Sequence, residues 1–167
     1  MANWRRAMTW SDTGRPWIPP SPNLRSPDAA LAYPGIALLE GSNVSEGRGT
    51  DAPFLLWGAP WISAQELAAR VGPTPGFALV PVRFTNRASS SAPKPKYEGV
   101  ESAGFRVDLL DARVAEPYRL GVAIVRALVA DASFAWDREG ASLTWLLGTP
   151  VVLERLQDEM RLRGYSP

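Results

Sequence analysis

Eleven residues concentrate most of the reactive chemistry of this chain. The stretch Glu40-Gly-Ser-Asn-Val-Ser-Glu-Gly-Arg-Gly-Thr50 holds two carboxylates, a guanidinium, an amide, hydroxyls and three glycines. Glycines let a backbone approach a ligand closely, and successive backbone amides can hold an anion. Glu40 follows the apolar pair Leu38 and Leu39. It is therefore predicted to be partly desolvated, the setting a general acid needs. Arg48 either pairs with one of the carboxylates or binds a substrate carboxylate bidentately. The same stretch also reads as a structural loop in which Arg48 ties a turn and Glu46 is solvated.

What is missing narrows the chemistry further. The sequence has no Cys and no His. Disulfides, thiol nucleophiles, Ser-His-Asp triads, histidine acid/base work and nearly every usual zinc site are excluded. Catalysis by this chain must use Asp, Glu, Lys, Arg, Tyr or the backbone, and neither cofactor nor metal is expected. That palette suits glycoside hydrolysis, in which a carboxylic acid protonates the leaving oxygen and a second carboxylate often assists. Of the seven Trp (4, 10, 17, 57, 61, 136 and 145), Trp17 and Trp61 flank the motif and offer faces to a sugar ring. Trp136 and Trp145 read as core. Lys94 and Lys96, each next to prolines, read as solvated, while Tyr97 is a group able to orient a carboxylate.

The elements that position these groups follow from spacing. Four prolines between Pro16 and Pro22 exclude a helix or central strand. Residues 1–32 thus read as an arm anchored by Trp17 and Ile18, with one helical turn at Asp28–Ala32 stopped by Tyr33-Pro-Gly35. The apolar run Gly35–Glu40 reads as a short buried strand entering the motif loop, and Phe54–Trp57 as a second one. Ser63 with Glu66 forms a capping box, and Ile62 with Leu67 a hydrophobic staple, so a helix is predicted from Ser63 to Gly72. Phe77–Phe84 reads as a strand that Pro81 sends to an edge or bulge, and Gly104–Leu110 as a half-exposed strand. Residues 86–96 read as the most flexible loop. A helix is predicted over Pro117–Asp131, with Leu120, Ile124 and Leu128 on one face. Another runs from Thr149-Pro150 to about Arg163, with Leu153, Leu156 and Met160 inward and Arg155 paired with Glu159. The result is an α+β fold: a small mixed sheet and about three main helices, behind the arm and the strand-loop segment.

Size and charge set the remaining bounds. The 167 residues suffice for one cored domain with an arm. A net charge of +1 offers nothing for nucleic acid or an anionic membrane surface. No apolar run reaches the length of a membrane span. The start Met-Ala-Asn-Trp-Arg-Arg has no apolar stretch after it and does not read as a secretory signal.

Several short motifs occur in a fixed order. Pro20-Ser-Pro-Asn23, Tyr33-Pro-Gly35, Glu40 to Thr50, Pro53-Phe54 and Gly58-Ala-Pro-Trp61 are followed by Phe84-Thr85, Lys96-Tyr97, Gly99 and Gly104. The ordered set resembles the bacterial exo-β-N-acetylmuramidases, a family formerly catalogued as a domain of unknown function. The resemblance implies a Rossmann-like N-terminal domain joined to a smaller α+β domain, with the substrate pocket where they meet. Residues 1–52 then correspond to the end of the first domain and residues 53–167 to the second. Most of the Rossmann-like domain, and the family's usual C-terminal helix with its aromatic tail, are expected to lie outside this chain. Ser102 stands where Cys is frequent, a change expected to be neutral.

The activity implied is release of terminal non-reducing N-acetylmuramic acid from peptidoglycan fragments. Glu40 and Glu46 would be the catalytic residues, in roles left open between acid and nucleophile or base. Asn23, Asn43, Ser45, Arg48 and Tyr97 would bind substrate, with Arg48 and Asn43 on the lactyl carboxylate or the N-acetyl group. The implied partners are a muropeptide sugar and either a Rossmann-like half or a second copy of this chain. Family members often act in the periplasm or outside the cell. From another class, the chain reads as a non-catalytic module that binds muropeptide or docks onto a separate subunit.

Overall fold

A computed structural model describes residues 3–162. Ser26 begins the first helix, α1 (Pro27–Ile36), by accepting a hydrogen bond on its hydroxyl from the Ala29 N–H at 3.1 Å, with Pro27 in the first turn. The helix runs through Pro34 and continues as a 3-10 turn, Ala37–Gly41. The expected short strand at 35–40 is therefore helical, and Tyr33-Pro-Gly35 stops nothing. An apolar run this short has no period to choose by; packing chooses instead. Gly35 lies against Gly121 and the Pro117 carbonyl, where a Cβ on either glycine would strike backbone. That close crossing welds α1 to α3 (Pro117–Leu128). The run is buried as anticipated, with Ile36 and Leu39 fully enclosed.

The sheet has three antiparallel strands: β1 (Leu56–Ala59), β2 (Phe77–Thr85) and β3 (Glu101–Leu109), in the order β1-β3-β2. Pro81 sits on outer strand β2 opposite Phe105, where a missing N–H is tolerated. β3 is the centre of the sheet and begins earlier than Gly104. Trp57 and Phe105 are cross-strand partners whose rings stack with centroids 5.0 Å apart. Both are fully buried.

The helices largely follow their signals. α2 (Ala64–Val71) begins after Ser63, although no side-chain bond forms at that cap; Ile62 and Leu67 are buried as a staple requires. α3 ends at Leu128, with Leu120, Ile124 and Leu128 inward. α4 (Ala141–Leu147) was not anticipated, and it packs on the 3-10 turn through fully buried Leu143. α5 (Val151–Leu162) buries Leu153 and Leu156. The side chains of Glu159 and Met160, expected to pair with Arg155 and to face inward, lie outside the described residues. The α+β class holds, with five α-helices among the described residues beside a three-stranded antiparallel sheet.

Three other expectations change. Ile18 is 78% exposed and anchors nothing within this chain. Trp17 does: its indole N–H donates to the Leu24 carbonyl at 3.1 Å, and Trp10 meets it edge-on. Trp145 is 83% exposed instead of buried. The 86–96 loop is held along its length. Asn86 is fully buried, the Arg87 N–H donates to the Gly49 carbonyl at 2.8 Å, and Asn23 Nδ2 donates to the Ser91 carbonyl at 3.1 Å. Among the described residues no helix is long and apolar enough to cross a membrane.

Candidate active site

The 3-10 turn delivers Glu40 to the edge of a cleft of about 530 Å³. Ser42 and Asn43 continue that wall, Lys96 and Tyr97 form another, and Trp136 with Asp137 a third. Three distant stretches of chain thus converge, and backbone-level bonds explain how. Asn43 donates its N–H to the Ala135 carbonyl at 2.9 Å and its amide Nδ2 to the Ser133 carbonyl at 2.8 Å. Its Oδ1 accepts from the Ala135 N–H at 3.0 Å. With Ser42 bridged to Trp136, these bonds fix the 133–137 segment beside the motif loop. Tyr97 closes the other side: its hydroxyl donates to the Asn43 carbonyl at 2.6 Å and accepts from the Trp61 indole at 3.2 Å.

From the cleft wall inward, four charged groups alternate in sign. Glu40 Oε1 accepts from Arg48 Nη2 at 2.7 Å. Arg48 Nε lies 3.3 Å from Glu46 Oε1, and Lys96 Nζ donates to Glu46 Oε2 at 3.2 Å. Burial, the largest influence on Arg48, pulls its proton affinity down. The hydrogen bond and charge of Glu40, with the charges of Glu46 and Tyr33, outweigh it and leave the guanidinium above its ordinary value. Arg48 also lies over the Phe54 ring, 5.1 Å from its centroid. The Lys96 ammonium donates further to the carbonyls of Val44 at 2.8 Å and Leu39 at 3.0 Å. An ammonium has three protons, so these partners occupy it fully.

Glu46 is therefore not solvent-facing: its side chain is 8% exposed and held between two cations. Lys96 is not a solvated loop lysine but the clamp that closes the motif onto itself. Of the residues assigned to a site by sequence, Glu40, Asn43 and Tyr97 line the cleft. Arg48 and Glu46 stand in the charged layer behind Glu40. Ser45 is buried, its hydroxyl accepting from Gly47 N–H at 3.1 Å and Asn86 Nδ2 at 2.9 Å. Asn23 is buried at the arm end, away from the lining, and its Oδ1 has no partner among the described residues. Gly47 and Gly49, with positive φ, approach the chain's own backbone at Leu56 and Arg87. Sequence reasoning did not single out Ser42 or Asp137, and it read Trp136 as core. Asp137 has no local motif, and only the Asn43 bonds reveal its place. Among the described residues no cluster of acidic side chains is arranged to hold a metal.

The profile of the exo-β-N-acetylmuramidase NamZ C-terminal family matches residues 31–165, and the chain belongs to that family. The peptidoglycan β-N-acetylmuramidase NamZ of Bacillus subtilis (strain 168) is 35% identical over 129 residues, covering 77% of this chain and 30% of the relative. The chain thus spans less than a third of that relative's length. Two solved structures share the fold, both of DUF1343-family proteins from Bacteroides fragilis NCTC 9343 and both at 24% identity. One gives a TM-score of 0.75 over 95% of this chain and 43% of its own. The other gives 0.58 over 89% and 36%.

Proposed function

We propose that this chain supplies one wall of a peptidoglycan glycosidase site that releases terminal non-reducing N-acetylmuramic acid. The observation that carries the reading is Glu40, held by Arg48 at the edge of a cleft in a chain of the muramidase family. A carboxylate oriented by a guanidinium is suited to attack the anomeric carbon or to stabilise positive charge developing there. Tyr97 and Asn43 shape the wall. Arg48 is engaged by Glu40 and Glu46 and serves to orient Glu40. Glu46 acts one layer back, aligning Arg48 and Lys96. In the complete enzyme residues 1–52 would lie against a Rossmann-like domain that completes the pocket, with residues 53–167 as the second domain.

A second reading is a non-catalytic docking module, favoured by the exposed Trp4 and Ile18 of the arm. One assay separates the two. A chromogenic N-acetylmuramic acid glycoside is offered to this chain alone, then to the chain with a Rossmann-like half added in trans. The glycosidase reading expects turnover only with both halves. No turnover in either case, with the two halves bound to each other, leaves the docking module standing.

A further inference from the structure

One side chain from a distant segment grips the chain on both sides of Glu40. The Lys96 ammonium donates to the Leu39 carbonyl at 3.0 Å and to the Val44 carbonyl at 2.8 Å, with the Glu40 carbonyl at 3.5 Å. Its remaining proton goes to Glu46 Oε2 at 3.2 Å. Glu46 Oε1 faces Arg48 Nε at 3.3 Å, and Arg48 Nη2 reaches Glu40 Oε1 at 2.7 Å. These contacts close a ring. The same ammonium fixes the backbone that carries Glu40 and, through Glu46 and Arg48, the carboxylate at the end of its side chain. Lys96 is itself held: fully buried Asn86 donates its Nδ2 to the Lys96 carbonyl, and to the Ser45 hydroxyl at 2.9 Å. Tyr97, the next residue, has a left-handed backbone with φ 54°. Bulky residues rarely adopt that conformation, and it persists where the surroundings impose it. Here it lets two adjacent side chains work on one stretch, since the Tyr97 hydroxyl donates to the Asn43 carbonyl at 2.6 Å.

We propose that Lys96 is the positioning residue of this site, setting the place and direction of the Glu40 carboxylate without itself binding the sugar. The inference rests on the glycosidase reading and deepens it. A carboxylate that acts on one atom of a substrate must be held closely, and a misplacement of about 1 Å can cost on the order of a hundredfold in rate. Glu40 lies in the 3-10 turn Ala37–Gly41, a conformation whose own hydrogen bonds are poorer than those of an α-helix. The ammonium supplies the rigidity that the turn lacks. A compact ammonium can serve acceptors in three directions, whereas a guanidinium presents its donors in one plane. All three protons are taken by Leu39, Val44 and Glu46, which leaves none for a substrate even though Lys96 lines the cleft. Its influence therefore falls on kcat and not on KM.

The test is made in whichever form of the protein turns over the muramic acid glycoside, this chain alone or both halves together. Lys96→Met should lower kcat by about a hundredfold and leave KM within about threefold. Lys96→Arg keeps the charge but loses the geometry, so kcat should still fall about tenfold or more. Because the chain has no Cys, Lys96→Cys can be alkylated selectively before any second half is added. Treatment with 2-bromoethylamine restores an ammonium at nearly the reach of lysine, and iodoacetamide leaves a neutral amide. The first product should regain kcat to within about threefold of wild type, and the second should not. Thermal unfolding of each variant separates loss of fold from loss of rate. A lysine that only stabilises would lower the midpoint and leave the kcat of the folded protein unchanged. That result overturns the assignment while the glycosidase reading stands, as does an unchanged kcat in Lys96→Arg or a raised KM at constant kcat. Should Lys96→Met fail to fold, Lys96→Arg and the alkylated pair decide. If no form of the wild type hydrolyses the glycoside, the glycosidase reading falls and the role of Lys96 falls with it.

Discussion

Glu46 is the residue whose loss the fold should feel most among the charged groups of the site. Its carboxylate touches Arg48 Nε and Lys96 Nζ while almost wholly buried. Glu46→Gln leaves two cations facing one amide. Removing one partner of a buried ion pair destabilises by about 3–5 kcal/mol, and because both cations are part-exposed the lower end, about 3 kcal/mol, is expected. Denaturant unfolding measures it, and a change below roughly 1 kcal/mol would show that the network contributes little. Ser102 works in the opposite direction. It is fully buried in β3 and its hydroxyl has no partner among the described residues. Ser102→Ala removes an orphaned donor and should raise stability by about 1 kcal/mol, read as a higher midpoint. The motifs singled out Glu40, Asn43 and Tyr97, and these three line the cleft. The burial of Glu46 was not legible, because its neighbours Ser45 and Gly47 suggest a wet loop. The group that neutralises it, Lys96, comes from a segment that itself looked solvated. Asp137 was illegible because the bonds that place it join residues 90 and 92 positions apart.

At the level of elements, the α1–α3 crossing sets where the motif loop begins. α1 feeds directly into the 3-10 turn that ends at Glu40 and Gly41, so any rotation of α1 moves the carboxylate. Gly121→Ala tests this with two opposed effects. Ala favours a helix interior over Gly by about 1 kcal/mol. Its methyl, however, would run into the Gly35 backbone, and overpacking of that kind typically costs about 1–3 kcal/mol, more where backbone must move. The net expectation is destabilisation, read as a lower unfolding midpoint; on the proposed glycosidase reading, activity of the complete enzyme would fall ahead of the fold because Glu40 shifts first. A variant more stable than wild type would mean that the helices separate readily. This crossing also explains which elements could be read in advance. α2, α3 and the strands at 77–85 and 101–109 announce themselves by caps, helical spacing or alternation. The stretch from Tyr33 to Gly41 does not, since Pro34 and Gly35 are breakers locally and become helical only through contact with α3.

At the scale of the whole molecule, a few large apolar side chains of the described surface take no part in the core. Ile18 on the arm and Trp145 on α4 are almost bare, and Trp4 is half exposed. The core, from Ile36 and Leu39 through Trp57 and Phe105 to Ile124 and Leu128, is continuous and owes nothing to those side chains. The isolated chain should therefore unfold in one cooperative transition yet associate as its concentration rises, since exposed apolar patches drive association. Replacing Ile18 and Trp145 together by Ser should suppress the association. It should leave stability within about 0.5 kcal/mol per site, because neither residue packs. Sedimentation velocity across a concentration series, beside thermal unfolding of the same samples, measures both. A wild-type chain that stays monomeric throughout would show that these side chains are tolerated singly in water. A loss of stability in the double variant would place them in packing that the exposed surface does not reveal.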